Sequence, residues 1–179
     1  MPFNTAEMVE FQTREEEAKK ASRIPQGKYG FEITGTELFD NNGLPRLQIT
    51  HRTIAGASVG RYHSEFLGWY ASETSESPKP LEERERTIRR MTTDRLHNYM
   101  NALADSPTSD QDLGVNMNEC IVALTGSDEP AEVEELLSAI GEMLRGQEIT
   151  GAIKYSAKGD FVNLYPQAFD HTMNSAIAV

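Results

Sequence analysis

The chain has one cysteine, Cys120, and one tryptophan, Trp69. A lone cysteine excludes an internal disulfide framework and any zinc site built on several thiolates. Long hydrophobic runs are missing too. No stretch approaches the roughly 20 apolar residues that span a bilayer, and the N-terminal MPFNTAEMVEFQ lacks the plan of a signal peptide. The expectation is a cytoplasmic protein without a membrane partner. Basic residues are scarce, 17 Lys and Arg against 28 Asp and Glu, for a net charge of −11. That balance counts against nucleic acid as a partner, because phosphate neutralisation dominates such binding. The charge is unevenly placed, however. Asp128, Glu129, Glu132, Glu134, Glu135, Glu142 and Glu148 crowd one late segment, opposed there by Arg145 alone, while Arg84, Arg86, Arg89, Arg90 and Arg95 gather on one short stretch. Internal repeats are absent, and 179 residues suit a single domain with a real core.

What is present is most regular between Gly27 and Tyr70. Tyr29, Phe31 and Ile33 alternate with Gly30, Glu32 and Thr34, the period of a half-buried strand. Asn41-Asn42-Gly43 tolerates positive φ and predicts a reversal. Leu47 and Ile49 then share one face of a second strand whose other face carries Arg46, Gln48, Thr50 and Arg52. Ala55-Gly56 turns the chain again, and Val59 to Phe66 completes the meander. A core explains the apolar face; the polar one asks for a partner.

Residues Thr5 to Ala21 read as an exposed helix with acid before base, and Ala71 to Pro80 as a loop rich in Ser, Glu and Pro. Leu81 to Ala104 returns to helix, with Ile88, Met91, Leu96, Tyr99, Met100 and Leu103 near helical spacing. Asn118 to Leu124 is short and apolar, and periodicity does not decide between strand and helix. Ser127 or Asp128 is placed to cap a helix carrying Val133, Leu136, Leu137, Ile140 and Leu144 as its buried stripe, stopped by Gly146. Gln147 to Tyr155 and Asp160 to Tyr165 form a second strand pair. The organisation expected is an N-terminal helix within 1–22, a domain over 23–166 with a helical insert at about 81–146, and a C-terminal tail of little pattern over 167–179. Five antiparallel strands with a helix between the third and fourth is the order of an OB-type barrel, mainly β with helical insertions in the α+β sense.

Catalytic patterns are wanting. Neither a GxxxxGK[ST] phosphate loop nor a dinucleotide fingerprint occurs. His51, His63, His97 and His171 lack close metal-ligand spacing, although His51 and His63 can approach across neighbouring strands. Cys120, beside Ile121 and Val122, reads as a small core residue rather than a nucleophile. The expectation is a non-enzymatic chain without metal or cofactor.

Ile24-Pro25-Gln26-Gly27-Lys28-Tyr29, the glycine-bearing hairpin, Gly60-Arg61 before the third strand and the closing Lys158-Gly159-Asp160-Phe161-Val162-Asn163-Leu164-Tyr165-Pro166 resemble a group of phage-encoded single-stranded-DNA-binding proteins. Members of that group start with Pro-x-Gly-x-Tyr, carry a central helical insert and close with a hairpin containing Asn and Pro. The resemblance spans roughly residues 24 to 166. It implies an OB-type fold and sequence-independent single-stranded-DNA binding in phage replication or recombination, in the host cytoplasm. The long acidic insert departs from the group, as does the want of an acidic, Phe-ended tail of the kind that recruits partners.

Lys28, Arg46, Arg52, Arg61, Lys154 and Lys158 fall on strands or turns of the expected barrel, where single strands track a basic groove. Trp69 and Tyr70 stand at the exit of the third strand, and Tyr155, Phe161 and Tyr165 on the closing hairpin, as candidate stacking platforms. Tyr29, Phe31, Phe66 and Phe161 read as core, and the Arg84–Arg95 cluster, interleaved with Glu82, Glu83, Glu85 and Asp94, as an ion-paired helix face. The partners expected are single-stranded DNA, replication or recombination proteins, and further copies of the chain. The alternative is a phage interaction or assembly adaptor that binds no nucleic acid; a metal nuclease comes third.

Overall fold

The computed structural model describes residues 23–73 and 76–174, so the helix expected over Thr5 to Ala21 lies outside the described residues. Three strands come first: β1 (Gly27–Asn41), β2 (Leu44–Ala55) and β3 (Tyr62–Gly68). Three helices follow, α1 (Leu81–Leu103), α2 (Leu113–Thr125) and α3 (Pro130–Leu144). The chain then returns through β4 (Glu148–Tyr155) and β5 (Val162–Gln167) to the short α4 (His171–Asn174). The strands form one antiparallel sheet of order β3-β2-β1-β4-β5, an α+β architecture with β3 and β5 at its edges.

Asn42 and Gly43, with φ of 55° and 81°, make the tight reversal between β1 and β2. β1 pairs with β2 as far as Gly30 and, over Gly27 to Glu32, with β4 on its other side. Two register breaks bend β1 along this path. Thr34 is the extra residue on β1, between Ile33↔His51 and Gly35↔Thr50, and Ile54 is the extra residue on β2. The Thr34 bulge switches the parity of β1. Tyr29, Phe31 and Ile33 point inward before it; Thr36 and Leu38 continue the inner face after it.

Leu47, Ile49, Ile149, Ile153 and Leu164 complete the inner face of the sheet. Against the core pack Leu96, Tyr99 and Leu103 of α1, Met117, Ile121 and Leu124 of α2, and Val133, Leu137, Ile140 and Leu144 of α3. The ambiguous Asn118–Leu124 segment is thus helix, with Ile121 and Leu124 buried and Val122 exposed. Two further expectations are corrected. Met91 is 63% exposed rather than part of the buried stripe, and α3 is capped by Glu129 without a side-chain bond rather than by Ser127 or Asp128. Gly141 lets α3 touch the sheet: a Cβ there would stand 3.1 Å from Leu47 Cδ1 and 3.2 Å from Thr36 Cβ. The Thr36 hydroxyl donates to the Gly141 carbonyl at 2.8 Å. Of the expected tail, Phe169 is buried, and the Asp170 side chain accepts from the Thr172 hydroxyl and holds Lys28; residues 175–179 lie outside the described residues.

Candidate functional site

With Leu47, Ile49, His51 and Thr53 turned inward, β2 must present Arg46, Gln48, Thr50 and Arg52 outward. The ladders extend this face into rows: Glu32–Arg52–Tyr62, Gly35–Thr50–Ser64, Glu37–Gln48–Phe66 and Phe39–Arg46–Gly68. Phe66 is 47% exposed, and Phe39 and Tyr62 are exposed as well. Phe39 meets Phe66 edge to face at 6.0 Å, and the Arg46 guanidinium lies 4.9 Å from the Phe66 centroid. Phe66 was expected inside. Leu67 takes the inward position and parity turns Phe66 out. In sequence, two adjacent apolar residues do not reveal which one faces the core; the hairpin register opposite Gln48 does.

The other anticipated site residues separate into free and engaged groups. Arg46, Arg61, Lys154 and Lys158 make no ion pair among the described residues. Lys28 holds Asp170 at 2.6 Å and Arg52 holds Glu32 at 3.0 Å, so both have acid partners on the surface. Trp69 is 1% exposed and donates its indole N–H to the Ser127 carbonyl, which removes it as a stacking platform. Tyr70 is half-buried and donates to the Asp128 carbonyl. Tyr155 packs on the core and donates to the Ile24 carbonyl. Phe161, expected to face inward, is instead 69% exposed. Tyr165 is exposed, with the Lys154 ammonium 5.7 Å from its ring centre.

Of the five arginines of α1, Arg84, Arg89 and Arg95 hold structural partners, whereas Arg86 and Arg90 are exposed and make no ion pair among the described residues, so the cluster expected to be an ion-paired face is only partly paired. Arg89 donates to the Trp69 carbonyl, pairs with Glu85 and Asp128 at 2.7 and 2.6 Å, and lies over both Trp69 and Tyr70. Arg84 donates to the Ser72 and Lys79 carbonyls. Arg95 pairs with Glu65 at 2.7 Å and also donates to the Leu164 carbonyl.

Between β3 and β5, above α1, lies an open cleft of about 590 Å³ lined by Phe66, Tyr165, Asn163 and Met91 among others. Behind it sits a buried polar chain. His51 stacks on Tyr99, the Tyr99 hydroxyl lies 2.7 Å from His51 Nε2 and donates to Glu65, and His51 Nδ1 lies 3.3 Å from the His63 carbonyl. Burial, then the neighbouring His63, pushes His51 down to about 3. Burial lowers His63 too, and burial raises Tyr99 well above its ordinary value. A neutral imidazole carries a single N–H; with the Tyr99 hydroxyl given to Glu65, His51 Nε2–H can donate to the Tyr99 oxygen and so help to orient Tyr99 and Glu65. Burial, with Glu119 nearby, pushes the Cys120 thiol up, away from the thiolate a nucleophile needs. Among the described residues no group of His, Cys, Asp and Glu is arranged to hold a metal ion, and no helix is long and apolar enough to cross a membrane. No family model matches the chain, and no curated protein matches it in sequence.

Proposed function

We propose that the chain binds single-stranded DNA without sequence preference and performs no chemistry on it. The observation that carries this reading is the outer face of β1, β2 and β3. There Arg46 has no carboxylate partner among the described residues, Phe39 and Phe66 lie exposed beside it, and Tyr62 is exposed farther along β3, opposite Arg52. A core needs none of these residues. Cations that neutralise phosphates beside rings that stack bases form the recurring plan of single-strand binding. The strand order supports an OB-type assignment, since β3-β2-β1-β4-β5 is the order of a five-stranded barrel opened between β3 and β5. On this reading the chain is similar in role to phage proteins that coat single strands during replication or recombination, and it works in the host cytoplasm.

A second reading, an interaction adaptor, is favoured by one feature. Glu132, Glu134, Glu135 and Glu142 all face solvent on α3, where they repel phosphate and suit a basic protein surface. Fluorescence-anisotropy titration against oligo-dT, duplex DNA and RNA at two salt concentrations separates the two. Single-strand binding whose affinity falls steeply with salt supports the first reading. Failure to bind oligo-dT even at low salt removes it.

A further inference from the structure

β3 and β5 both run parallel to β1, because each is reached from it through two antiparallel pairings. They face each other across the cleft with no ladder between them among the described residues. A sheet edge normally carries unpaired backbone groups, and here α1 satisfies several of them. Thr92 donates to the Gly68 carbonyl at 2.6 Å, Arg89 to that of Trp69 and Arg95 to that of Leu164. The gap is therefore held open over a helical floor instead of being zipped shut.

Its walls match each other chemically. Phe66 and Ser64 stand on the β3 side, Tyr165 and Asn163 on the β5 side, and Ile88 and Met91 on the floor. Each wall offers one exposed ring, 47% for Phe66 and 46% for Tyr165. Each ring has a cation at its side, Arg46 at 4.9 Å and Lys154 at 5.7 Å, and neither cation has a carboxylate partner among the described residues. In a chain with 28 acids and 17 bases, that pairing of ring and free cation on both rims stands apart from the ion-paired Lys28, Arg52, Arg89 and Arg95. The one acid in the cleft, Glu65, is already held by Arg95 and Tyr99. The Asn163 side chain has no hydrogen-bond partner among the described residues, leaving its amide able to donate to and accept from a base edge.

From this we infer that the cleft is the subsite for an unpaired nucleotide of the bound strand: its base enters between Phe66 and Tyr165, and Arg46 and Lys154 take the flanking phosphates. The inference rests on the single-strand reading and extends it from one face of the sheet across the gap to β5. The volume falls within the roughly 300–1,000 Å³ of small-ligand clefts. A paired base stays inside its duplex and cannot enter, so the cleft supplies a reason to select single strands.

Oligo-dT carrying 5-iodouracil, photo-cross-linked to the full chain and mapped by mass spectrometry, tests this directly. Cross-links to both the Phe66 and Tyr165 peptides are expected. Tyr165→Leu should weaken oligo-dT binding by about 5- to 150-fold, with circular dichroism unchanged, and Lys154→Gln should make the salt dependence shallower. If wild-type protein binds oligo-dT and cross-links at Phe66 but never at Tyr165, and both β4–β5 variants bind like wild type, the cleft assignment is wrong while the single-strand reading stands. If wild-type protein does not bind at all, both fall together.

Discussion

Two arginine–aromatic pairs lie on either side of one stretch of α1, around Ile88 to Thr92, and residue type alone does not separate them. Arg89 covers Trp69 at 5.2 Å; Arg46 covers Phe66 at 4.9 Å. In the first pair the ring is buried, and the guanidinium is taken up by Glu85, Asp128 and a backbone carbonyl. In the second the ring is half open to solvent and no acid meets the guanidinium among the described residues. The same two residue types thus tie β3 to the helices in one place and present a charged, stackable surface in the other. What separates them is where carboxylates and carbonyls lie around the cation. A residue pattern becomes a binding surface only where the fold leaves it unsatisfied.

Mutation should widen that contrast. Trp69→Ala is expected to cost about 3–5 kcal/mol of stability, since it empties a fully buried site, with no loss of oligo-dT affinity per folded molecule; urea denaturation and anisotropy read the two effects. Single-strand binding should also leave the intrinsic fluorescence nearly unchanged, because the only tryptophan is sealed from the ligand. Next comes the pH dependence of β2's inner face. Folded His51 titrates at about 3 against 6.5 unfolded, so the unfolded chain takes up the proton first as pH falls. Stability complete above pH 6.5 is then lost toward pH 3, by up to about 1.4 kcal/mol per pH unit from this group. His51→Gln should flatten the decline in urea midpoint across that window.

On the outer face the direction reverses. Phe66→Ala should leave the urea midpoint nearly unchanged and weaken oligo-dT binding by about 1–3 kcal/mol; normal binding would refute the stacking role. Arg46→Gln should weaken binding uniformly across sequences and reduce the slope of log affinity against log salt by about 0.7, the value for one phosphate contact on a single strand. Arg52→Gln should do less, because Glu32 already offsets its charge. Smallest is the combined change of Glu132, Glu135 and Glu142 to Gln. It should tighten binding slightly at low salt and not at all at high salt; looser binding would mean that α3 contacts something other than DNA.

Much of the fold was legible where local chemistry decides it. Asn42-Gly43 fixes a two-residue hairpin, strict alternation from Leu47 to Ile49 sets the faces of β2, and the stripe from Val133 to Leu144 is the buried side of α3. Legibility ended where the outcome depends on distant partners. Trp69 is buried because the α2–α3 connection brings the Ser127 carbonyl to its indole, 58 residues away. Phe66 is exposed because the β2–β3 register, not its hydrophobicity, assigns its side. Tyr155 is engaged because its hydroxyl finds the Ile24 carbonyl across the sheet, a bond between residues 131 apart. The exposure of Arg46 was legible in the sequence and that of Phe39 and Phe66 was not, since a charge next to a strand announces exposure and an aromatic does not.

The bulge at Thr34 works as a reading frame for one side of the molecule. Up to Ile33 the odd-numbered residues belong to the interior; beyond it the even-numbered ones do, and Glu37 and Phe39 reach the surface as a result. A regular ladder without the bulge, pairing Thr34 with Thr50, would keep every residue of the chain and carry the second half of β1 in the wrong phase. Glu37 and Phe39 would be driven toward the core, and Thr36 would lose the carbonyl of Gly141. The outward row that brings Phe39 beside Arg46 and Phe66 would disappear without any of its own letters being altered.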